Sequence, residues 1–260
     1  MDTDKKLIIV EYAESGVAKL ILNNPPLNLN SMEMTRQLGN ALSELEADDS
    51  VRAVVITGSG EKAFCAGSDV KEFPRIMDNF VGKKLRRENE VFDSVETLSK
   101  PVIAAIEGIA LGGGCELAMA CDIRIMAENA KIGLPEINLG VFGGSGGLFR
   151  TPKLVGTSQA MELMFLGKFI SAQEAERIGL VNHVSPAGES VQMAVSLAEK
   201  IACQPFEAIK AIKKGVRECI RLSHEEALEL NFNLTDHVFN TDDCKEGVSA
   251  FLEKRKPKFK

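Results

Sequence analysis

The chain has 260 residues, 45% hydrophobic and 26% charged, with 31 Lys and Arg against 37 Asp and Glu for a net charge of −6. That composition suits a soluble globular protein with a sizeable core; it argues against a nucleic-acid surface, which needs clustered Lys and Arg, and no apolar run approaches the ~20 residues of a membrane span. Six cysteines (Cys65, Cys115, Cys121, Cys203, Cys219 and Cys244) form no CxxC pair or zinc-like spacing, and the opening MDTDKKLIIVEY lacks a signal-peptide apolar region. No metal is therefore expected, and free thiols in the cytoplasm are the simplest account, with an organellar matrix open if a transit peptide was removed.

The chain begins with two strand-like runs, KLIIVEY and VAKLIL, separated by AESG, whose Ser15-Gly16 suits a hairpin turn. After the loop NNPPLNLN, a helix is expected from about Ser31, because Met34, Leu38, Ala41, Leu42 and Leu45 recur at helical spacing. VRAVVIT (51–57) reads as a buried strand ending in the glycine-rich GSGEKAFCAGSD. A helical segment over roughly 75–98 leads to a second buried strand, PVIAAIEG (101–108), then to LGGGCELAMACD (111–122) and a third strand, DIRIMA (122–127). Strand, glycine-rich loop and helix alternate, which predicts βα units. Beyond about 143 the strand signals fade and helices dominate: SAQE (171–174) has capping-box form, and helices are expected over 187–203, 206–222 and 225–239. The residues show no internal repeat and no linker; an α/β core over 1–200 with a helical C-terminal region over 201–260 is expected.

Three glycine-rich places invite a functional reading. Gly58-Ser-Gly60-Glu-Lys-Ala63 is formally GxGxxA after a strand, but a dinucleotide fingerprint must open a helix and this one runs into Phe64-Cys-Ala-Gly67. Gly143-Gly-Ser145-Gly-Gly147 satisfies the GxSxG of serine hydrolases, with Ser145 as nucleophile. The strand before it (137–142, INLGVF) is weak, and His183, His224 and His237 sit in unremarkable contexts, so a glycine loop opening a helix is the cheaper account.

The third place, LGGGCELAMACD, is a chemical set. Gly112, Gly113 and Gly114 let backbone approach a ligand, and the following helix aims unpaired N–H groups and its positive dipole end there. Glu116, in the first turn, is expected to be held ionised by that dipole and to serve as a base. The loop Phe64-Cys-Ala66-Gly67-Ser68-Asp69 is its natural partner, since neighbouring βα loops emerge on one side of a sheet, and Gly133-Leu-Pro135-Glu136 adds a second carboxylate among apolar residues. Two carboxylates beside two loops of backbone donors make an acid/base pair at an oxyanion hole. Taken singly, glutamates are usually solvated, glycine clusters are usually turns, and Cys115 is more simply a small buried residue than a nucleophile.

FCAGSDVKEF (64–73), KPVIAAIEGIALGGGCELAMACD (100–122), GLPEINLG (133–140), SAQEAERIGLVNHV (171–184) and EGVSAFLEKRKPKF (246–259) resemble, in order and spacing, the enoyl-CoA hydratase/isomerase family, or crotonase superfamily. The resemblance implies an α/β crotonase-like fold, a spiral of ββα repeats with a helical C-terminal trimerisation region. It further implies that an acyl-CoA thioester carbonyl binds between the N–H groups of Ser68 and Gly113, with Glu116 as the main base towards water and Glu136 as proton donor to the α-carbon. Ala66, Gly67, Asp69, Gly112, Gly114 and Pro135 would line the substrate, and Lys71 would lie near the CoA phosphates.

Both glutamates together favour hydration of a 2-enoyl-CoA, or the reverse dehydration, over double-bond isomerisation. Coenzyme A is then part of the substrate and no cofactor is implied. The family's trimers and hexamers make Phe251 and Lys254, at the basic end EKRKPKFK, candidates to reach a neighbour's ligand; a solvated tail is the alternative. Where many hydratases continue with Pro-Gly and Gly-Gly-Thr-Gln-Arg, this chain reads VFGGSGGLFRTPKLVG, closer to carnitinyl-CoA dehydratases, with Phe142 and Leu148 where the acyl chain would lie. A serine hydrolase using Ser145 and a catalytically silent CoA-binding protein are the readings from other classes.

Overall fold

The computed structural model describes residues 5–259; residues 1–4 and Lys260, the last lysine of the basic end, lie outside the described residues. Strands β1 (Ile8–Tyr12) and β2 (Val17–Leu22) form the expected antiparallel hairpin, turning at Gly16 with φ of 78°. Helix α1 (Met32–Ala47) is capped by the Ser31 side chain, which accepts from Met34 N–H, and buries the five apolar residues whose spacing predicts it.

Three consecutive β-β-helix units follow. Strands β3 (Ala53–Gly58) and β4 (Ala63–Cys65) precede α2 (Arg86–Thr97); β5 (Val102–Ile106) and β6 (Ile109–Leu111) precede α3 (Gly113–Ala120); β7 (Ile123–Ala127) and β8 (Lys131–Gly133) precede α4 (Gly147–Val155). The ββα repeat is thus present in the fold although the residues do not repeat. Each unit's second strand has only three residues, too few for any alternation to register.

The first strands of the units share a six-stranded sheet of order β1-β2-β3-β5-β7-β10, parallel from β2 onward, with β10 at His183–Ser185. The second strands share a smaller sheet, β4-β6-β8-β9, whose last strand, Phe169–Ser171, runs antiparallel. Most of the core is one cluster that joins Leu20 and Ile56 of the large sheet, Phe64 of the small sheet and Phe92 of α2. Helices α5 (Thr157–Leu166) and α6 (Ala172–Arg177) flank β9, and Ser171 caps α6 by accepting from Glu174 N–H. Helix α7 (Ser190–Ala202) lays Ala194, Ala198 and Ala202 on the other face of the large sheet, against Val55, Ile103 and Ile125. Burial on both faces is why these strands read as unbroken apolar runs.

Two expectations are corrected. The helix over 75–98 begins only at Arg86; before it run 3-10 turns (Val70–Arg75, Met77–Asn79) and a π-turn (Val81–Leu85), with Pro74, which has no N–H to donate, inside the first. The segment 137–142 is no strand: Glu136–Leu139 is a 3-10 turn stopped by Gly140 at φ of 74°. The C-terminal third carries α8 (Phe206–Cys219), α9 (His224–Phe239), with a full capping box between Ser223 and Glu226, and α10 (Asp242–Leu252), a helix not expected from spacing.

Candidate active site

The small sheet assembles the site. Its parallel strands pair Cys65 with Ala110 and Leu111 with Gly133, so the loops leaving β4, β6 and β8 emerge side by side at their carboxyl ends. Ser68 and Gly113 thereby become neighbours. A methyl group added at Gly113 would stand 3.7 Å from Ser68 N, and one at Gly67 would stand 3.9 Å from Gly113 N. Gly114 approaches so closely that a Cβ there would overlap the Cys65 carbonyl.

Ser68 is held by its neighbours' bonds. Asn30 N–H donates to Gly67 O at 2.8 Å and Asp69 N–H donates to Asn30 O at 3.1 Å, a parallel bridge that leaves the Ser68 N–H facing the other way, towards α3. Gly113 is the first residue of α3, where N–H groups have no partner within the helix. Two donors from two loops face one space.

Both carboxylates reach that space. Glu116 is 2% exposed and its Oε1 accepts from Gly147 N–H at 2.7 Å. Glu136, on the turn after β8, is half-buried, and neither of its oxygens has a hydrogen-bond partner among the described residues. A Cβ on Gly143 would meet Glu116 Oε1 at 3.0 Å and Glu136 Oε1 at 3.3 Å, so the two oxygens flank a single point. Glycine at 112 also leaves room, since a Cβ there would stand 3.1 Å from Glu136 Oε1.

The expectation that the helix dipole keeps Glu116 ionised is corrected. Burial, and then the charge of Glu136, push its pKa up to about 8, against the opposing pull of the Gly147 and Ser145 backbone. Burial also raises Glu136. Each of the two side chains therefore holds its proton more tightly than an isolated carboxyl would.

A cavity of about 670 Å³ opens over these groups. Ala66, Gly67, Ser68, Gly112 and Gly113 line it, as do Pro135, Glu136 and Phe142, and Phe73, Met77, Phe80 and Leu139 make the rest largely apolar. Gly114 sits behind this wall rather than on it. Asp69 is a capping residue, its carboxylate accepting from Lys71 N–H at 3.1 Å. Lys71 is exposed outside the cavity, Leu148 does not line it, and Phe251 and Lys254 lie on α10 and just after it, also outside.

The competing motifs fall away on geometry. Residues 58–63 connect two strands and open no helix. Ser145 is buried at the cavity wall, no histidine bonds to it among the described residues, and His237 pairs instead with Glu207 at 2.8 Å. Cys115 is buried and its thiol is pushed well above its usual range, so it is no nucleophile. Spacing alone does not reveal Gly147 or a buried group of Asn30, Lys84 and Glu88 behind the Ser68 loop. The Asn-rich NNPPLNLN was the one signal available for the last.

A spiral of ββα units that brings two glycine-bearing loops beside two carboxylates is the crotonase fold class. The profile of the enoyl-CoA hydratase/isomerase family matches residues 12–260. The chain is 42% identical over 246 residues to a probable enoyl-CoA hydratase of Bacillus subtilis, covering 94% of this chain and 95% of that protein. It is 41% identical over 250 residues to a short-chain-enoyl-CoA hydratase of Clostridium acetobutylicum, covering 95% of each. Its fold superposes with a TM-score of 0.94 on an enoyl-CoA hydratase from Bacillus anthracis, 40% identical over 98% of this chain and 99% of the other. The chain belongs to the enoyl-CoA hydratase/isomerase family.

Proposed function

We propose that the protein adds water across the 2,3 double bond of a 2-enoyl-CoA to give the 3-hydroxyacyl-CoA, and catalyses the reverse dehydration. The observation that carries this reading is the pair of carboxyls, Glu116 buried and Glu136 half-buried, whose oxygens flank one point beside two backbone N–H donors. The relatives named as enoyl-CoA hydratases support it.

The thioester carbonyl accepts from Ser68 N–H and Gly113 N–H. As the water oxygen bonds to C3, electron density moves onto the thioester oxygen, where two oriented donors stabilise an enolate-like transition state. One proton leaves the water and another reaches C2. A carboxyl pair sharing one proton suits this exchange, because one member can accept while the other donates. We assign acceptance from water to Glu116 in its ionised form and donation to C2 to Glu136 in its protonated form, so that the pair's one proton stands on Glu136 before each forward turnover. We assign Lys71, exposed just beyond the first loop, to the CoA phosphates.

No helix among the described residues is long and apolar enough to cross a membrane. The six unpaired thiols fit a reducing compartment, cytoplasm or organellar matrix. The C-terminal helices leave Val216, Ile220, Phe239, Phe251 and Leu252 more than half exposed, and we assign that apolar surface to contacts in a homo-trimer or hexamer, where Phe251 and Lys254 would approach a neighbour's ligand.

The test is hydration of crotonyl-CoA by the purified protein. A 3-hydroxybutyryl product is expected, and Glu116→Gln and Glu136→Gln should each lower the rate by about 10²–10⁴-fold. Unchanged rates in both variants would sink the mechanism. A shifted double bond with no water incorporated would make the protein an isomerase, and labelling of Ser145 by a fluorophosphonate would make it a hydrolase.

A further inference from the structure

Behind the oxyanion loop lie four buried polar residues, Asn30, Thr35, Lys84 and Glu88, each no more than 4% exposed; among the described residues none is hydrogen-bonded to Glu116 or Glu136, though the charge of Glu88 adds to the upward shift of Glu116. Asn30 is their hub, and each of its polar groups is engaged. Its N–H and C=O hold Gly67 and Asp69, its Oδ1 accepts from the Thr35 hydroxyl at 3.0 Å, and its Nδ2 donates to Glu88 Oε1 at 3.0 Å. Lys84 Nζ donates to the Asn30 carbonyl at 3.1 Å and lies 3.4 Å from Glu88 and 3.6 Å from Glu72. Glu88 also reaches the far side of the oxyanion hole, since a Cβ at Gly113 would stand 3.2 Å from its Oε1 and the residue lines the cavity.

Stability does not explain this group. A buried ion pair is often matched or bettered by apolar side chains of similar volume, so burying Lys84 and Glu88 contributes little to the fold as such. What the pair does supply is direction. It fixes the Asn30 carbonyl and amide, and Asn30 fixes the peptides on both sides of Ser68. It also has an electrostatic part: an uncompensated Glu88 beside Gly113 would repel the negative charge that develops on a thioester oxygen, and Lys84 offsets it.

We propose that Asn30, Lys84 and Glu88 are positioning residues for the oxyanion hole, holding the Ser68 N–H on the substrate oxygen and neutralising the wall behind Gly113. This rests on the acyl-CoA reading above. Because the donors act chiefly in the transition state, disturbing the group should lower kcat and leave KM nearly unchanged.

The experiment combines steady-state kinetics on crotonyl-CoA with infrared spectra of bound butyryl-CoA, a saturated thioester that does not react, labelled with carbon-13 at the carbonyl. In the wild-type protein the carbonyl stretch should move to lower frequency on binding. Asn30→Ala and Glu88→Ala should lose much of that movement and about 10- to 100-fold in kcat, less than the 10²–10³ expected for deleting a donor outright. Glu88→Gln, which keeps an acceptor for Asn30, should recover part of both, and Thr35→Val should show a smaller effect of the same kind. Should the alanine variants fail to fold, the two conservative ones carry the test. A lowered kcat with an unmoved carbonyl frequency would show the group to be merely structural and overturn the inference, as would unchanged kcat. A wild-type carbonyl that does not move on binding would overturn the acyl-CoA reading, and the inference with it.

Discussion

Replacing Glu116 by glutamine should stabilise the protein, and the gain should grow with pH. The carboxyl is 2% exposed and its pKa is raised from 4.5 to about 8, chiefly by burial. The folded state therefore binds this proton more tightly than the unfolded state does, and stability is lost as pH rises from the unfolded value through the folded one. Each pKa unit between the two is worth about 1.4 kcal/mol, so the penalty is under ~1 kcal/mol at pH 5, ~3 kcal/mol at pH 7 and up to ~5 kcal/mol above pH 8. A glutamine can still accept the Gly147 N–H bond without ever becoming charged.

For a chain of this size 1 kcal/mol corresponds to about 2 °C in melting temperature, so the advantage of Glu116→Gln over wild type should widen by about 5 °C between pH 5 and pH 7. Scanning calorimetry of both proteins across pH 5 to 8.5 measures it. Glu136 is the second cause of the shift, so a Glu136→Gln background should shrink the pH dependence without abolishing it. A melting difference that stays flat across this range, or narrows as pH rises, would refute the account of a buried carboxyl holding its proton.

Two further outcomes follow from the backbone. Ser68→Ala should leave kcat within about threefold, because the donor is the peptide N–H, whereas Gly113→Ala puts a methyl group 3.2 Å from Glu88 Oε1 and 3.6 Å from Ser68 Oγ and should lower kcat about tenfold or more, measured on the same substrate. Gly114→Ala should cost more than about 4 kcal/mol, at the extreme of single substitutions, since its Cβ would overlap the Cys65 carbonyl and neither backbone can yield without breaking the β4–β6 pairing; soluble yield and melting temperature report it.

The parts of the fold legible in the sequence are those with enough residues to carry a period. The hairpin, α1 and the large-sheet strands β3, β5 and β7 announce themselves through alternation, helical spacing or unbroken apolar runs, and the glycines with Glu116 and Glu136 mark the site. The small sheet is invisible, because three-residue strands carry no pattern, yet its register is what joins Ser68, Gly113 and Glu136. The raised pKa of Glu116 is not legible along the chain for a related reason. A helix dipole is a local property of the chain, while burial among residues from α2, α4 and the turn after β8 is a property of the assembled molecule, and burial is the larger effect here. Lys84 and Glu88, read along the chain, look like an ordinary solvated i,i+4 pair; only the tertiary structure encloses them.

Each ββα unit delivers one component of the site, Ser68 after β4, Gly113 with Glu116 after β6, and Glu136 after β8. Their relative positions are therefore fixed by hydrogen-bond register between very short strands rather than by long-range packing of the loops themselves. A one-residue slip between β6 and β8 would turn each side chain of the slipped strand to the opposite face and displace Glu136 by about 3.3 Å along the strand, beyond the reach of the point it shares with Glu116. Close glycine contacts fix the neighbours of these strands as well, because a Cβ at Gly133 would overlap the Lys168 carbonyl next to β9, just as one at Gly114 in α3 would overlap that of Cys65 in β4. On the proposed reading, the glycine beside the substrate carbonyl and the glycines in close backbone contact are thus different residues within the same short segments, so a change at 113 should be felt in the rate and a change one residue later in the fold.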